Sequence, residues 1–507
     1  MKQKGFRSIL GTVFLWIALL GIIALIVNAF YQKSAFHLLI ALPIILVTAL
    51  AYDRFQSKHA VLRNYPVIGR LRYFFESIRP EMRQYFFESE LDGKPFNRRQ
   101  RSIVYQRAKN ERETVAFGMQ VDPYQEGYEW VSHSIYPKRI ANMDLRVKVG
   151  GSVCLQPYDL SILNIGAMSF GALSKTAIQS LSNGANLNKF AHNTGEGGIS
   201  PYHVKGGGDL IWQVGTGYFG CRDAEGKFDG ALFQKNSKRE YVKMIELKLS
   251  QGAKPGHGGI LPAAKNTPEI AEIRNVVAGT TILSPPAHST FSDATGLMHF
   301  IKQLRELSGG KPIGFKLCIG SKEEFIDICE AMVSTKISPD FITIDGAEGG
   351  TGAAPLEYTD YVGMPLLDAL AFVNITLKKY GLRKDIKILA SGKIITGFDI
   401  MRVVALGADA CYSARGMMMA LGCIQALKCD SGKCPVGIAT QDKSLFKGID
   451  VTDKKHRVAN FHKNTVHATI ELMEACGFDT LNEIKPERFN RRIDTTKTLN
   501  FKDIYFS

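Results

Sequence analysis

The sequence lacks a regular cysteine framework. Its nine cysteines are an odd number in 507 residues and follow no repeating spacing, which argues against a disulfide-stabilised scaffold and favours a reducing compartment. No G-x-G-x-x-G loop opens its first predicted βα unit, where a dinucleotide-binding fold usually carries one, and we identify no NAD(P)H fingerprint. No recognised nucleic-acid motif accompanies its scattered basic residues, so we expect no nucleic-acid partner.

Charge is absent from two stretches near the N-terminus, residues 8–32 and 34–52, which only Lys33 separates. At about 1.5 Å of rise per residue, each is long enough as a helix to cross about 30 Å of hydrocarbon. Basic residues cluster on both outer flanks, which places those flanks inside the cell. The sequence therefore predicts a two-span hairpin, residues 1–55, in the inner (cytoplasmic) membrane with the remaining chain cytoplasmic; a cleavable signal peptide is the alternative.

The remaining chain divides by composition into three parts. Residues 56–150 combine amphipathic helical patterns, rich in Arg, Phe and Tyr, with irregular polar stretches and indicate a linker segment. A catalytic domain is predicted over residues 151–480, followed by a C-terminal tail, residues 481–507. The net charge of +15 suits an acidic electron carrier, acidic substrates or an anionic membrane surface, although most of these charges are expected to be ordinary solvated side chains.

From about residue 160 the chain alternates short apolar runs, each ending in a glycine-rich loop, with helical stretches. This alternation is typical of a parallel sheet with crossover helices. Eight such runs predict an α/β fold, a closed (β/α)8 TIM barrel, with an open doubly wound sheet as the alternative. The runs begin at Ile162, Phe190, Ile211, Met244, Ile313, Phe341, Ile386 and Ala410. The longer stretch of residues 255–310 is predicted to be an insertion on the fourth unit.

Three cysteines near the end of the predicted barrel, Cys423, Cys429 and Cys434, follow C-x5-C-x4-C spacing, with Pro435 directly after the last. Three thiolates at this spacing suit an iron–sulfur cluster, which indicates electron transfer. Zinc usually takes closely paired cysteines and a fourth ligand, and none is obvious here. A zinc site and buried structural thiols stay open as alternatives.

The loops after the seventh and eighth runs have the composition of a phosphate site. In a TIM barrel the loops after the last two strands commonly hold phosphate. Here the seventh run is followed by Gly392 and Lys393, and the eighth by Arg415 and Gly416. Backbone N–H groups and two cations would therefore surround a phosphate dianion. In the alternative interpretation the glycines serve only tight turns.

Six loop motifs along the predicted barrel are distinctive. They are GAMSFGALSKTA from Gly166, NTGEGG from Asn193, QVGTGYFG from Gln213, QGAKPGHGG from Gln251, EGGTGAAP from Glu348 and CPVGIATQD from Cys434. Together they closely resemble the FMN-binding synthase region of glutamate synthase, over about residues 155–480. The resemblance implies an FMN at the barrel mouth, and the cysteine triplet lies where this family carries a [3Fe-4S] cluster.

The resemblance also implies which residues contact the flavin. Lys316 would place its cation near the pyrimidine side of the ring, where a fixed positive charge raises the flavin's potential. The residues implied to bind FMN are Gly166, Ala167, Met168, Ser169, Gln213, Lys316, Gly349, Gly350, Thr351, Gly392, Lys393, Arg415 and Gly416.

In this family, electrons pass from the cluster to FMN, and reduced FMN delivers hydride to an imine formed from 2-oxoglutarate and ammonia. Lys254 and Arg274 match positions that hold the oxoacid, a dicarboxylate that needs two cations. Glu196, in the NTGEGG loop, is the carboxylate implied for proton handling or for positioning the nitrogen. Arg274 lies in a helical pattern, so an ordinary surface arginine is the alternative for it.

The sequence departs from the family pattern in its substrate loops. Ile199 stands where the family has Glu, His257 replaces the Glu of KPGEGG, and Ile260 replaces the following Gln. The loss of polar groups around the oxoacid changes which ligand can form all its hydrogen bonds there. The substrate is therefore expected to be 2-oxoglutarate or an analogue of it.

The N-terminus lacks the nucleophilic cysteine of the family's glutaminase domain. Free ammonia, an amine or a separate amidotransferase subunit is therefore expected to supply nitrogen. The family's C-terminal β-helical domain is not expected either. With no NAD(P)H fingerprint, a ferredoxin-like carrier or a partner reductase is expected to supply electrons.

These observations favour a membrane-anchored FMN and iron–sulfur oxidoreductase that reductively aminates a 2-oxoacid. A flavin-dependent amine or hydroxy-acid dehydrogenase that passes electrons to the membrane is the second hypothesis. A flavin-bearing scaffold or sensor without turnover is the third. Flavin reduction by an amino acid would favour the second, and full tolerance of Ala at Lys254 and Glu196 would favour the third.

Overall fold

The computed structural model describes residues 20–21, 23–28, 31, 36–111 and 114–506, and for residues 36–43 it describes the backbone alone. The chain falls into two compact units, Met1–Arg98 and Arg99–Ser507. The domain boundaries predicted from composition stay predictions.

In the first unit, a buried carboxylate connects two of the described helices. Asp53 accepts hydrogen bonds from Nε and Nη2 of Arg70, at 2.9 and 2.7 Å, and from the backbone N–H of Val67 at 2.9 Å. Burial alone would raise the pKa of Asp53, but these donors outweigh it and lower the pKa. The elements are Phe36–Phe55, Ala60–Asn64, Gly69–Met82 and the π-helical turn Arg83–Phe87.

The predicted membrane localisation is wrong, because no helix among the described residues has the length and apolar character needed to cross a membrane. The second predicted span overlaps the helix Phe36–Phe55, whose side chains are described only from Ile44 onward. Most of the first predicted span, residues 8–32, lies outside the described residues.

The described strands are mostly short. In chain order they are β1 Glu129–Val131, β2 Arg146–Val149, β3 Tyr158–Ser161, β4 Leu163–Ile165, β5 His192–Asn193, β6 Leu210–Val214, β7 Val242–Lys248, β8 Ile260–Leu261, β9 Ile282–Leu283, β10 Ile313–Leu317, β11 Phe341–Asp345, β12 Lys387–Ser391, β13 Ala410–Ser413, β14 Phe489–Arg492 and β15 Thr498–Asn500.

Eight of these strands, β4 to β7 and β10 to β13, form a closed barrel of parallel strands. The last strand pairs with the first, Cys411 opposite Leu163 and Ser413 opposite Ile165, and this pairing closes the circle. Strands β4, β6, β10 and β11 are buried throughout, as expected when side chains fill the inside and helices cover the outside. The predicted TIM barrel is confirmed, and the alternative of an open sheet is excluded.

Many of the helices around the barrel begin at side-chain caps, whereas Leu366–Lys379 begins after Pro365 without one. Ser174 accepts from the backbone N–H of Ala177, and Thr396 forms a reciprocal capping box with Asp399, which satisfies otherwise unpaired N–H groups. The described helices of the second unit's chain are Arg98–Lys109, Lys175–Leu187, Pro201–Gly206, Gly230–Ser237, Pro268–Arg274, Ala294–Leu307, Lys322–Thr335, Leu356–Tyr361, Leu366–Lys379, Gly397–Ala405, Arg415–Ala420, Lys443–Phe446, Val451–Cys476 and Phe501–Tyr505.

The stretch predicted to be an insertion, residues 255–310, is part insertion and part barrel. It contains the hairpin of β8 and β9, a 3-10 turn at Ala263–Lys265 and the short helix Pro268–Arg274. Its final segment is the amphipathic helix Ala294–Leu307, which packs on the neighbouring strand β10. The insertion therefore ends before Ala294, earlier than the sequence predicted.

A small antiparallel sheet of β1, β14 and β15 lies outside the barrel. There Glu129 accepts from Nη1 of Arg402 at 2.7 Å and from Nε of Arg491 at 2.8 Å, and its side chain is only 11% exposed.

We expect Glu129→Gln to lower the free energy of unfolding by about 3 kcal/mol, because two guanidinium groups lose their shared counter-charge. Urea denaturation measures this, with Glu126→Gln at an exposed position as the control. Equal stabilities of the two variants would contradict the expectation.

Candidate functional site

Buried charges gather at the C-terminal ends of the barrel strands. Glu196, in the loop after β5, lies with Oε2 3.1 Å from Nζ of Lys248, the last residue of β7. Burial alone would raise the pKa of Glu196, but Lys248 and then Arg274 and Lys254 outweigh it and lower the pKa. Glu196 is therefore ionised at neutral pH, and the three residues predicted to be catalytic, Glu196, Lys254 and Arg274, lie close together.

The pKa values of the two lysines in this group are also lowered, because burial outweighs their attraction to Glu196. Burial lowers the pKa of Lys254 to about 8, and Lys248 lowers it further whereas Glu196 opposes the change. Burial also lowers the pKa of Lys248, with Glu196 opposing and the cation of Lys316 reinforcing the effect. Two amines that lose their protons more readily than an ordinary lysine therefore lie beside one carboxylate.

Arg274 is the last residue of its helix and is buried, so it is not an ordinary surface arginine. Its Nη2 donates to the carbonyl oxygen of Phe170 at 3.0 Å and to Oγ of Ser169 at 3.4 Å. The guanidinium carbon lies 4.9 Å from the centroid of the Phe219 ring. Burial lowers the pKa of Arg274 to about 10. Its Nε is buried without a hydrogen-bond partner among the described residues, so a donor is left over for a ligand.

Lys316, on β10, belongs to a second ion pair. Its Nζ lies 3.5 Å from Oδ2 of Asp345 at the end of β11. Asp345 also accepts the backbone N–H of Gly252 at 3.0 Å and the hydroxyl of Ser391 at 2.9 Å. This carboxylate, which the sequence analysis did not single out, therefore joins the ends of β10, β11 and β12 to the loop after β7.

The loop after β4 is held by close backbone contacts. The N–H of Gly166 donates to the carbonyl oxygen of Ser413 at 3.1 Å, and a Cβ on Gly166 would lie 3.0 Å from that of Ala414. Gly195 has φ +64°, and a Cβ there would lie 2.6 Å from the backbone nitrogen of Ser169. The NTGEGG loop and the end of β13 thus fix the backbone of the four predicted flavin-facing residues, Gly166, Ala167, Met168 and Ser169.

The loops predicted to hold phosphate also come together. Arg415 follows β13, and its Nη2 donates to the carbonyl oxygen of Glu348 at 2.6 Å. A Cβ on Gly350 would lie 2.7 Å from Nε of Arg415, so a side chain there would displace the guanidinium. Lys393, after β12, has φ +51° in a tight turn. The other predicted residues of these loops are Gly349, Thr351, Gly392 and Gly416.

Gln213, predicted to face the flavin, is tied to a carboxylate inside the barrel. Its Nε2 donates to Oε1 of Glu246 at 2.7 Å. Asn193 donates to the same oxygen at 2.8 Å, and the hydroxyl of Thr343 donates to Oε2 at 2.6 Å. Glu246 and Lys248 were missed from the sequence. Their signal was a pair of charges two residues apart in the second half of β7, which places both on one face of the strand.

The insertion contributes His288, also missed from the sequence. Its Nε2 lies 2.9 Å from the carbonyl oxygen of Lys248, and its Nδ1 lies 3.0 Å from the hydroxyl of Tyr218. Burial lowers the pKa of His288 to about 4, so the ring is neutral at neutral pH. A single histidine in a loop carried no spacing signal that would have revealed these contacts.

The positions that depart from the family pattern lie in the loops next to these charges. Nδ1 of His257 lies 2.9 Å from the carbonyl oxygen of Gly258, and its ring contacts that of Tyr358 edge-on, with centroids 5.4 Å apart. Ile199 and Ile260 are half-buried. An imidazole and two aliphatic side chains therefore replace polar groups next to the buried charges.

The three cysteines lie near one another without forming a metal-binding group. Burial, with the charges of Cys429 and Cys434, raises the pKa of Cys423 to about 11. The buried Lys265 donates from Nζ to the carbonyl oxygen of Cys429 at 2.6 Å. In the part of the chain that the structure describes, no three His, Cys, Asp or Glu side chains are placed to hold a metal ion. The iron–sulfur site therefore stays a prediction.

Comparison with known proteins places the chain in a family. The family described as the conserved region in glutamate synthase matches residues 144–479. The chain is 37% identical to the glutamate synthase large subunit-like protein YerD of Bacillus subtilis (strain 168), over 92% of this chain and 96% of that protein. It is 35% identical to the archaeal glutamate synthase (NADPH) of Methanocaldococcus jannaschii, over 72% of this chain and 68% of that protein.

A third relative is the large chain of glutamate synthase (NADPH) of Bacillus subtilis (strain 168), which is 33% identical over 63% of this chain and 20% of its own length. The matched residues include the whole barrel with its buried charges. The chain is an oxidoreductase acting on CH–NH2 donors and belongs to the glutamate synthase family.

Proposed function

We propose that this chain uses bound FMN to reductively aminate a 2-oxoacid, either 2-oxoglutarate or a close analogue, with electrons from a partner protein. One observation carries the proposal: Glu196 is buried among Lys248, Lys254 and Arg274 at the ends of the barrel strands. An anionic oxoacid needs cations to replace its hydration, and amination needs a group that handles protons and positions nitrogen.

Lys254 and Arg274 are the groups that would bind the oxoacid. Both are nearly fully buried and lie close to Glu196. The Nε of Arg274 lacks a partner among the described residues, and a carboxylate would satisfy it, since guanidinium groups bind carboxylates through parallel N–H groups. An apolar wall from Ile199 and Ile260 would then favour an analogue that carries less polar surface than 2-oxoglutarate.

Glu196 would position the nitrogen donor and accept a proton. Its lowered pKa keeps it ionised at neutral pH, so it attracts an ammonium ion and cannot itself act as a strong acid there. Lys248, 3.1 Å away, has a lowered pKa and would return a proton more readily than an ordinary lysine. Together the pair would move a proton between the nitrogen and the amine.

The glycine-rich loops after β4, β11, β12 and β13 would hold the FMN. A Cβ on Gly166 would crowd that of Ala414 at 3.0 Å, and Lys393 and Arg415 supply cations suited to a phosphate. Lys316 would stabilise negative charge on the ring. When bound, FMN would supply hydride chemistry, and a [3Fe-4S] cluster would supply single electrons. The three thiols offer the donor set for such a cluster, with the buried cation of Lys265 beside them.

The sources of electrons and nitrogen lie outside this chain in the proposal. A ferredoxin-like carrier or a partner reductase would bring electrons, and the net charge of +15 favours an acidic one, because opposite charges speed encounter. Free ammonia, an amine or a separate amidotransferase would bring nitrogen. Rapid reduction of the purified chain by NADPH alone would contradict the need for a partner.

The pH dependence of oxoacid use tests the role of Lys254. We expect kcat/KM to fall by about tenfold per pH unit above about pH 8, because Lys254 binds an anion only in its protonated form and burial lowers its pKa to about 8. In Lys254→Arg the charge persists, so this decline should disappear. Initial rates over a range of pH measure both profiles, and a wild-type profile that is flat through pH 8 would contradict the assignment.

The proposal is tested by anaerobic purification followed by flavin spectroscopy with a panel of oxoacids and amines. Reduced flavin should be reoxidised by an oxoacid only when ammonia or an amine is also present. Reoxidation independent of any nitrogen donor, or rapid flavin reduction by a hydroxy acid, would support a dehydrogenase instead.

A further inference from the structure

We propose that Glu246 is a positioning residue that sets which end of the Gln213 amide faces the flavin. The inference rests on the proposed function, because Gln213 matters to it only if FMN binds at the barrel mouth. Glu246 lies on β7 and is fully buried. Among the described residues, none of its hydrogen bonds goes to a residue proposed to bind the oxoacid, so we expect its influence on the reaction to pass through its neighbours.

Five strands of the barrel converge on this one carboxyl group. Its two oxygens accept from Asn193 on β5, Gln213 on β6 and Thr343 on β11, at 2.8, 2.7 and 2.6 Å. Tyr412 on β13 also lies beside the carboxyl, although its buried hydroxyl has no hydrogen bond of good geometry to a described residue. A carboxyl group that accepts from neutral donors on three other strands is rigidly placed, since no rotation keeps all its bonds.

The consequence for Gln213 follows from hydrogen-bond chemistry alone. A carboxylate oxygen only accepts, so the amide of Gln213 must turn its NH2 group toward Glu246 and its carbonyl oxygen away from it. Asn193, on the same carboxylate oxygen, is held by the same rule. If the acceptor were removed, the Gln213 amide would be free to rotate by half a turn and to present N–H groups toward the ring. N–H groups there would stabilise electrons on the flavin and raise its potential.

Two substitutions at one position separate this role from that of a buried charge. Glu246→Leu removes the acceptor, and we expect it to make the midpoint potential of FMN more positive. At fixed potential, the ratio of reduced to oxidised FMN should rise at least tenfold, which corresponds to about 30 mV for two electrons. Glu246→Gln keeps an oxygen facing Gln213 and Asn193, because its new NH2 group can donate to the Thr343 hydroxyl. Its ratio should change less than threefold despite the lost charge.

The path through Gln213 is tested by repeating the substitution in a Gln213→Leu background. A positioning role requires that Glu246→Leu shift the midpoint by less than half as much there, since coupled residues are not additive. Thr343→Val is the matched control, because it removes a donor to the other oxygen and leaves both bonds of Oε1 in place. The readout is a spectroelectrochemical titration of bound FMN, with circular dichroism to verify folding.

Each result supports or overturns the inference. Equal midpoint shifts in Glu246→Leu and Glu246→Gln would identify a charge effect and overturn the inference. The absence of a shift in both variants would overturn it too, as would the same shift with and without Gln213. If Glu246→Leu does not fold, Glu246→Asp retracts the acceptor by one methylene with the charge kept, and it must shift the midpoint in the same way. Failure of the wild-type chain to bind FMN would overturn the proposed function as well, which distinguishes the two.

Discussion

Glu196→Gln is expected to lower kcat for oxoacid-dependent amination by about 10²- to 10⁴-fold, the usual contribution of a positioned acid–base group. The substitution keeps the shape of the side chain and removes the charge that faces Lys248 at 3.1 Å. Because Glu196 raises the pKa of Lys254, the variant should also lose oxoacid affinity at a lower pH than the wild type. Steady-state rates across pH measure both effects.

The matched control is Glu269→Gln, the same chemical change at an exposed position on the helix that carries Arg274. Among the described residues, Glu269 accepts a hydrogen bond from the hydroxyl of Tyr202, at 2.7 Å. We expect its kcat and pH profile to match those of the wild type. Retention of wild-type kcat by Glu196→Gln, with FMN bound, would remove Glu196 from the mechanism.

Cys429→Ser is expected to abolish bound iron and to lower turnover with a protein electron carrier by at least about 100-fold, while FMN stays bound. A serine hydroxyl stays protonated where a cysteine gives the thiolate that iron–sulfur clusters require. Direct chemical reduction of the flavin should be unaffected, because the proposed FMN residues lie in other loops. Iron analysis, flavin absorbance and carrier-dependent rates are the three measurements.

Cys154→Ser controls for the loss of a thiol outside the triplet. The Cys154 thiol donates to the carbonyl oxygen of Gly310 at 3.3 Å, and a serine hydroxyl can make the same bond. Iron content and turnover should remain those of the wild type. Equal iron in Cys429→Ser and the wild type would show that the triplet binds no cluster, in agreement with its geometry among the described residues.

The barrel was predictable because its signal is local and repeated. Each strand is a short apolar run that ends in a glycine-rich loop, and all eight runs became barrel strands. The sheet of β1, β14 and β15 gave no such signal, since its strands are short and partly polar and pair across some 360 residues. The N-terminal prediction rested on the absence of charge alone, and no described helix has the length and apolar character of a membrane span.

The site was predictable in its residue types and less so in its pairs. The motifs placed Glu196, Lys254 and Arg274 at one mouth, and the structure brings them together. Lys248, Asp345 and Glu246 were missed because their partners lie far away in sequence, and only closure of the barrel places them side by side. The roles of these residues stay predictions until variants are measured.

The central claim is that this barrel converts a 2-oxoacid and a nitrogen donor into an amino acid at a bound flavin. The most direct test is a single turnover: the chain is purified without oxygen, its flavin is reduced, and 2-oxoglutarate or an analogue is added with ¹⁵N-labelled ammonium. We expect one labelled amino acid per flavin reoxidised. Flavin reoxidation without labelled product across the oxoacid panel, or a preparation that contains no flavin, would contradict the account.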